Sequence, residues 1–193
     1  MMKRDHFFKQ VGIATAMLVW PVKSWARLMS PPRTDKGFLV KSGEDRFNKP
    51  ITLFEGDVFT TKVSTKDTDG SLYIFDSLRI KKGGPTMHFH YSQDEIWKVT
   101  EGEFLIKVGE QVFQAKAGDT IFGPKGVPHS FSKTSEGPAR VTITFQPAGL
   151  MEEFFIAVSQ GKLKNTTPEQ QQEMRKKHGF ESVGEGVGYQ KKF

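Results

Sequence analysis

Met87-His88-Phe89-His90-Tyr91-Ser92-Gln93-Asp94-Glu95-Ile96-Trp97-Lys98-Val99-Thr100-Glu101-Gly102 is the stretch from which the fold can be read. In an extended strand successive side chains alternate between faces, so His88 and His90 share one face about 7 Å apart, two strand rises. The turn that follows brings Glu95 back on a neighbouring strand, and Gly102 makes the next turn. If Glu95 faces inward, Trp97 and Val99 share its face while Ile96 and Lys98 point away.

A second spacing lies downstream: Gly118, five residues, Pro124, one residue, Gly126, two residues, His129. Its glycines and proline set tight turns that deliver a third imidazole to the same interior. His88, His90, His129 and Glu95 together form a donor set for one divalent transition ion: Mn, Fe, Co, Ni, Cu or Zn. Positions left open on that ion would admit water or substrate. Any one of these histidines alone would more often be a core residue bonded to a carbonyl; the combined spacing is far more specific. His6 and His178 stand apart, and His178, close to the end of an expected helix, reads as a surface residue compatible with the helix dipole.

Around these segments the chain from Phe38 to Phe145 reads as short β-rich runs: Ile51–Phe59, Leu72–Ile80, Thr86–Tyr91, Glu95–Thr100, Phe104–Val108, Gln111–Ala115, Thr120–Phe122, His129–Lys133 and Arg140–Phe145. Turn residues such as Asp69-Gly70, Gly83-Gly84-Pro85, Gly118-Asp119 and Gly137-Pro138 fall between them, which implies a sandwich or barrel. After Pro147 the character changes. Met151–Gln160 has helical spacing, and Thr167-Pro168 with Gln170 offers an N-cap, a first-turn proline and a capping-box partner for a helix over 168–178 ended by Gly179. The Gly-rich tail from Gly184 is expected to be flexible.

The two segments resemble the paired motifs of the cupin superfamily, and the 15 residues between Gly102 and Gly118 match the short intermotif spacing of microbial single-domain members. The resemblance covers about residues 38–148. It implies an all-β fold, a jelly-roll or double-stranded β-helix barrel, here with C-terminal helices. It also implies His88, His90, Glu95 and His129 as the ligands of the metal. Two positions depart from the family pattern: the glycine before His88 stands at 83 or 84, and Lys133 occupies a position where many cupins have asparagine. The stretches Asp67–Leu72 and Pro147–Phe155 resemble the monocupins described as quercetin 2,3-dioxygenase-like. That likeness implies a metal-dependent oxygenase consuming dioxygen, with a flavonol or related phenolic or enolic substrate and Glu95 as catalytic base.

Alternation adds a substrate expectation from the residues themselves. Trp97, Val99 and Phe131 share the faces of Glu95 and His129, giving an aromatic wall that suits a planar apolar ligand. A small dicarboxylate would need an inward cation; Lys98 is on the outer face, and Arg79 is the other candidate. Two further readings stay open: a non-catalytic metal-containing module that binds a small molecule, and another cupin enzyme such as an oxalate-type oxidase or decarboxylase or a sugar isomerase.

Length, composition and charge frame these expectations. The 193 residues are 36% hydrophobic and 26% charged, in keeping with one domain and short appendages. The 17 Phe, 3 Trp and 3 Tyr argue against disorder throughout, and the absence of cysteine excludes disulfide and zinc-finger architectures. The net charge of +6 is terminal. Residues 27–159 hold 17 basic and 17 acidic side chains, so no basic face points to nucleic acid.

Residues 1–26 read as a secretory signal peptide. Lys3, Arg4 and Lys9 precede an uncharged stretch from Val11 to Val22, and Ser24 and Ala26 place small residues at the minus-three and minus-one positions of an expected cleavage site. The stretch is shorter than the ~20 residues of a membrane span, so the mature chain is expected to have no stable span and to be periplasmic or secreted. Lys3-Arg4 followed by Phe7-Phe8-Lys9 resembles a degraded twin-arginine signal, leaving that route and general secretion both open. Residues 27–37 read as a linker, 38–148 as the barrel and 149–193 as a helical extension with its tail. An open sheet edge needs covering, which is compatible with a homodimer.

Overall fold

Among the described residues, eleven strands pair into two antiparallel sheets because the runs between turn residues alternate buried and solvent-facing side chains. The computed structural model describes residues 33–53 and 56–188. The signal-peptide segment, the linker up to residue 32 and the last five residues lie outside the described residues. The strands are β1 (Ile51–Leu53), β2 (Asp57–Val63), β3 (Tyr73–Arg79), β4 (Met87–His90), β5 (Asp94–Glu101), β6 (Glu103–Val108), β7 (Gln111–Lys116), β8 (Thr120–Gly123), β9 (His129–Lys133), β10 (Ala139–Gln146) and β11 (Phe180–Gly184). Helices α1 (Met151–Ser159) and α2 (Pro168–Lys177) lie between β10 and β11.

One sheet has the order β1-β2-β3-β10-β5-β8 and the other β11-β4-β9-β6-β7. Their inner faces share one core, to which Phe75, Val99, Val141 and Phe145 contribute from the first sheet and Phe104, Ile106 and Phe131 from the second. This is a jelly-roll. Strand β3 shows the cause plainly: Tyr73, Phe75, Ser77 and Arg79 are buried while Ile74, Asp76 and Leu78 are partly exposed. Strand β9 departs from alternation and is buried throughout. Its outer face is covered by the C-terminal segment, where Val187 N–H donates to Ser130 Oγ at 3.1 Å.

Three expectations are corrected. The run Ile51–Phe59 is not one strand but the antiparallel pair β1–β2, with Leu53 opposite Asp57 and the chain reversing near Gly56, whose φ of +101° suits glycine. No strand is expected after Gly179, yet Phe180–Gly184 form β11 against β4, with Phe180 opposite His90 and Ser182 opposite His88. The Gly-rich tail beyond it is bonded to the barrel as far as Val187 rather than free.

Both helices stand where their sequence signals place them. At α2 the Thr167 hydroxyl accepts from Gln170 N–H, Gln170 Oε1 accepts from Thr167 N–H at 2.9 Å, and Pro168 opens the first turn. Helix α1 turns Met151 and Phe154 into the core and is tied down by Glu152, which accepts from Ser64 Oγ at 2.8 Å and Thr65 N–H at 2.8 Å. Neither helix, nor any other among the described residues, is long and apolar enough to cross a membrane.

Candidate metal centre

Four side chains converge from three strands and both sheets. On β4 the inward positions are His88 and His90, both buried, with Phe89 on the other face. Strand β9 pairs with β4 so that His129 stands directly opposite His88. Glu95 comes from β5, in the other sheet, after the turn at residues 91–93. One potential ligand atom from each lies within 4.8 Å of the others, and all four residues are buried. The structure thus brings together the four residues expected from the sequence.

The hydrogen bonds around the rings state what the cluster needs. His88 Nδ1 lies 2.7 Å from the Thr86 carbonyl and His129 Nδ1 2.9 Å from the Val127 carbonyl. A carbonyl only accepts, so each Nδ1 carries the proton and the neutral ring presents a lone pair at Nε2. Those lone pairs face a carboxylate: Glu95 Oε2 is 3.1 Å from His129 Nε2 and 3.9 Å from His88 Nε2, and also 3.1 Å from His90 Nε2. Acceptor against acceptor in a buried site is costly unless a proton or a cation lies between them. The donor set therefore fits a divalent cation, with the Thr86 and Val127 carbonyls fixing two of the ring orientations.

Electrostatics agree in direction. His88 is pushed down to about 3, first by burial and then by repulsion from His129. Burial acts to raise the Glu95 carboxyl, but the positive charge of a proton shared with His129 and His90, each 3.1 Å away, outweighs it and holds the group well below the usual carboxylate range. Unfolded, His88 would take a proton below about pH 6.5. The metal-free fold should therefore be fully supported above that pH and lose stability as pH falls towards 3. Below the unfolded carboxyl range Glu95 adds a loss of the same sign. Urea midpoints of the metal-free protein at pH 7, 6 and 5 should fall in that order; equal midpoints would refute it.

Beside the cluster lies a cavity of about 300 Å³ whose wall includes His88 and Glu95. Of the three residues expected to form a substrate wall, Phe131 lines it; Trp97 and Val99 do not. Their inward direction is as alternation requires, yet both are fully buried in the core. Trp97 instead packs its indole edge-on against His129, 5.1 Å between ring centroids. Alternation specifies a face but not a depth along the strand.

The aromatic wall is built from residues that lie far apart in sequence: Phe75 on β3, Phe145 on β10, Phe154 and Phe155 on α1, and Phe180 on β11. The helical spacing of Met151–Gln160 marks a helix, but not that it would roof this cavity. Phe180 also meets the His90 and His88 rings at 5.4 and 5.8 Å. Arg79 lines the cavity too, held by Asp57 at 2.9 Å and lying 5.3 Å from the Phe131 ring centre. His178, expected at the surface, is buried; Nδ1–H donates to the Met174 carbonyl at 2.7 Å and the ring stacks edge-on against Phe154.

Residues 77–145 match the family described as cupin domain. A protein of Methanocaldococcus jannaschii described as uncharacterised is 24% identical over 110 residues, 56% of this chain and 87% of that one. A second uncharacterised protein, from Streptomyces coelicolor, is 37% identical over 57 residues, 30% of this chain and about half (53%) of its own length. Among solved structures, one from Thermotoga maritima described as a predicted oxalate decarboxylase superposes with a TM-score of 0.50 at 18% identity, covering 57% of this chain and 99% of that one. At that identity the likeness is one of fold.

Proposed function

We propose, from the premise that the barrel is a cupin domain, that the protein is a metal-dependent oxygenase of a small phenolic or enolic molecule with a largely apolar body. The observation carrying this reading is that the buried His88, His90, Glu95 and His129 cluster shares His88 and Glu95 with the wall of an aromatic cavity. A site that only stabilised the fold would have no reason to open onto such a cavity.

A divalent transition ion held by the four residues would supply Lewis acidity to an enol or phenol oxygen, lowering its pKa, in a reaction whose oxidant is dioxygen. The side chains of the chain do the rest. Phe75, Phe131, Phe145 and Phe180 flank a planar substrate and keep water from it. Among the described residues that line the cavity, Glu95 is the one carboxylate, and it would take the hydroxyl proton. Held low by His90 and His129, it becomes an effective base only as those contacts lengthen.

The test is oxygen uptake. Protein loaded in turn with Mn, Fe, Co, Ni or Cu is mixed with quercetin and with simpler enols and phenols, and substrate-dependent oxygen consumption is followed. Uptake that disappears in His90→Ala supports the reading. Tight substrate binding without uptake under any metal would instead favour a non-catalytic binding module.

A further inference from the structure

The cavity beside the cluster holds two guanidinium groups, and only one has its charge answered. Arg79 pairs with Asp57 at 2.9 Å. Arg175, on α2, lines the same cavity half-buried, and its bond is to a neutral partner: Nη2–H donates to Gln171 Oε1 at 3.4 Å. No carboxylate pairs with Arg175 among the described residues. A nearby acid on β11, Glu181, is engaged by Lys176 at 3.0 Å. Burial pulls the Arg175 guanidinium below its ordinary range, with no anion acting to restore it.

A half-buried guanidinium beside a phenylalanine wall keeps part of its solvation and still gains from an anion brought into the cavity. A guanidinium presents a planar fork of donors that matches a carboxylate at two points, and such charge-assisted pairs are the strong ones. Away from the cluster the wall is largely apolar, with Phe75, Phe131, Phe154 and Phe180, and its other cation, Arg79, is paired with Asp57. That disfavours a dicarboxylate and leaves room for one anionic group on a hydrophobic body.

We propose that the substrate is an apolar, aromatic monocarboxylic acid whose carboxylate is bound by Arg175 while its enol or phenol oxygen faces the His88 and Glu95 side of the cavity. This rests on the oxygenase reading only for what happens at the second end; the anchoring at Arg175 stands on the cavity itself. The C-terminal extension thereby becomes a determinant of specificity, and a neutral flavonol would use only part of the site.

Binding is measured by calorimetry on the full chain, metal-loaded and metal-free, with 4-hydroxycinnamate as the acid probe and its methyl ester as the neutral one. The acid should bind the loaded protein about 10- to 100-fold more tightly than the ester. Arg175→Gln should remove that preference by weakening the acid alone, and Arg175→Lys should keep part of it. The preference should persist in metal-free protein and in His90→Ala, where oxygen uptake is lost, so failure of the anchoring and failure of the oxygenase reading give different results. Equal binding of acid and ester to the unmodified protein overturns the proposal, as does an Arg175→Gln protein that binds the acid as well as the original. Should Arg175→Gln fail to fold, the acid-to-ester ratio of the unmodified protein decides.

Discussion

His90→Ala is expected to leave a folded barrel whose cluster no longer holds a metal ion. His90 is buried, and its Nε2 lies 3.1 Å from the same Glu95 oxygen that faces His129. Removing it takes one of three nitrogen donors and exposes the remaining acceptors to one another. Loss of outer-shell partners alone typically costs 10- to 100-fold in affinity, so loss of a ligand should exceed about 100-fold. Metal per chain, measured by elemental analysis after dialysis, should drop to near zero. Glu95→Gln, which keeps the shape but removes the anion, should also fall. His178→Ala is the control: that ring bonds to Met174 and faces Glu153 at 3.8 Å, outside the cluster, and its loss should leave metal content unchanged. Equal metal retention in His90→Ala, or equal loss in His178→Ala, would refute the ligand set.

The second large effect belongs to Trp97. Its indole is fully buried and packs so closely on β8 that a Cβ added at Gly123 would come within 2.5 Å of the ring. Trp97→Ala should lower unfolding stability by about 3–5 kcal/mol, the range for deleting a large buried aromatic. Because the ring also meets His129 edge-on, the cavity left behind should loosen metal binding as well. Trp97→Phe should cost much less. It keeps most of the apolar contact and deletes an indole N–H that has no acceptor among the described residues. Urea unfolding of the two variants measures both. If Trp97→Ala instead leaves stability intact and alters only substrate affinity, the residue belongs to the cavity wall and not to the core.

These two residues show how far the sequence could be read. The cluster was legible because its chemistry is local: two histidines one strand position apart on one face, a carboxylate across one turn, and a third histidine after a run of turn residues. Strand alternation then gave the inward direction of Trp97 correctly. It could not say that the cavity lies elsewhere along the barrel, since that depends on which residues of other strands stand opposite. The same limit hid the wall. Phe75, Phe145, Phe154 and Phe180 are brought together by pairings that span most of the chain, and nothing local marks them as neighbours. Strand β11 escaped for the same reason. Its five residues, Phe-Glu-Ser-Val-Gly, follow a helix and a glycine, and only the open edge of β4 makes them a strand. Arg175 sits in a basic helix end that is ordinarily solvated; only the cavity beneath it sets it apart.

The pairing of β11 with β4 has a consequence for biogenesis. His88 and His90 leave the ribosome some ninety residues before Phe180, so the nascent chain carries the ligand strand with a raw edge and an unroofed apolar hollow. Contacts of such long sequence separation form late. Until residues 180–184 emerge and add themselves to that edge, the half-made hollow is a target for chaperones and for wrongful strand addition, and an ion captured early would sit in a site still open to water.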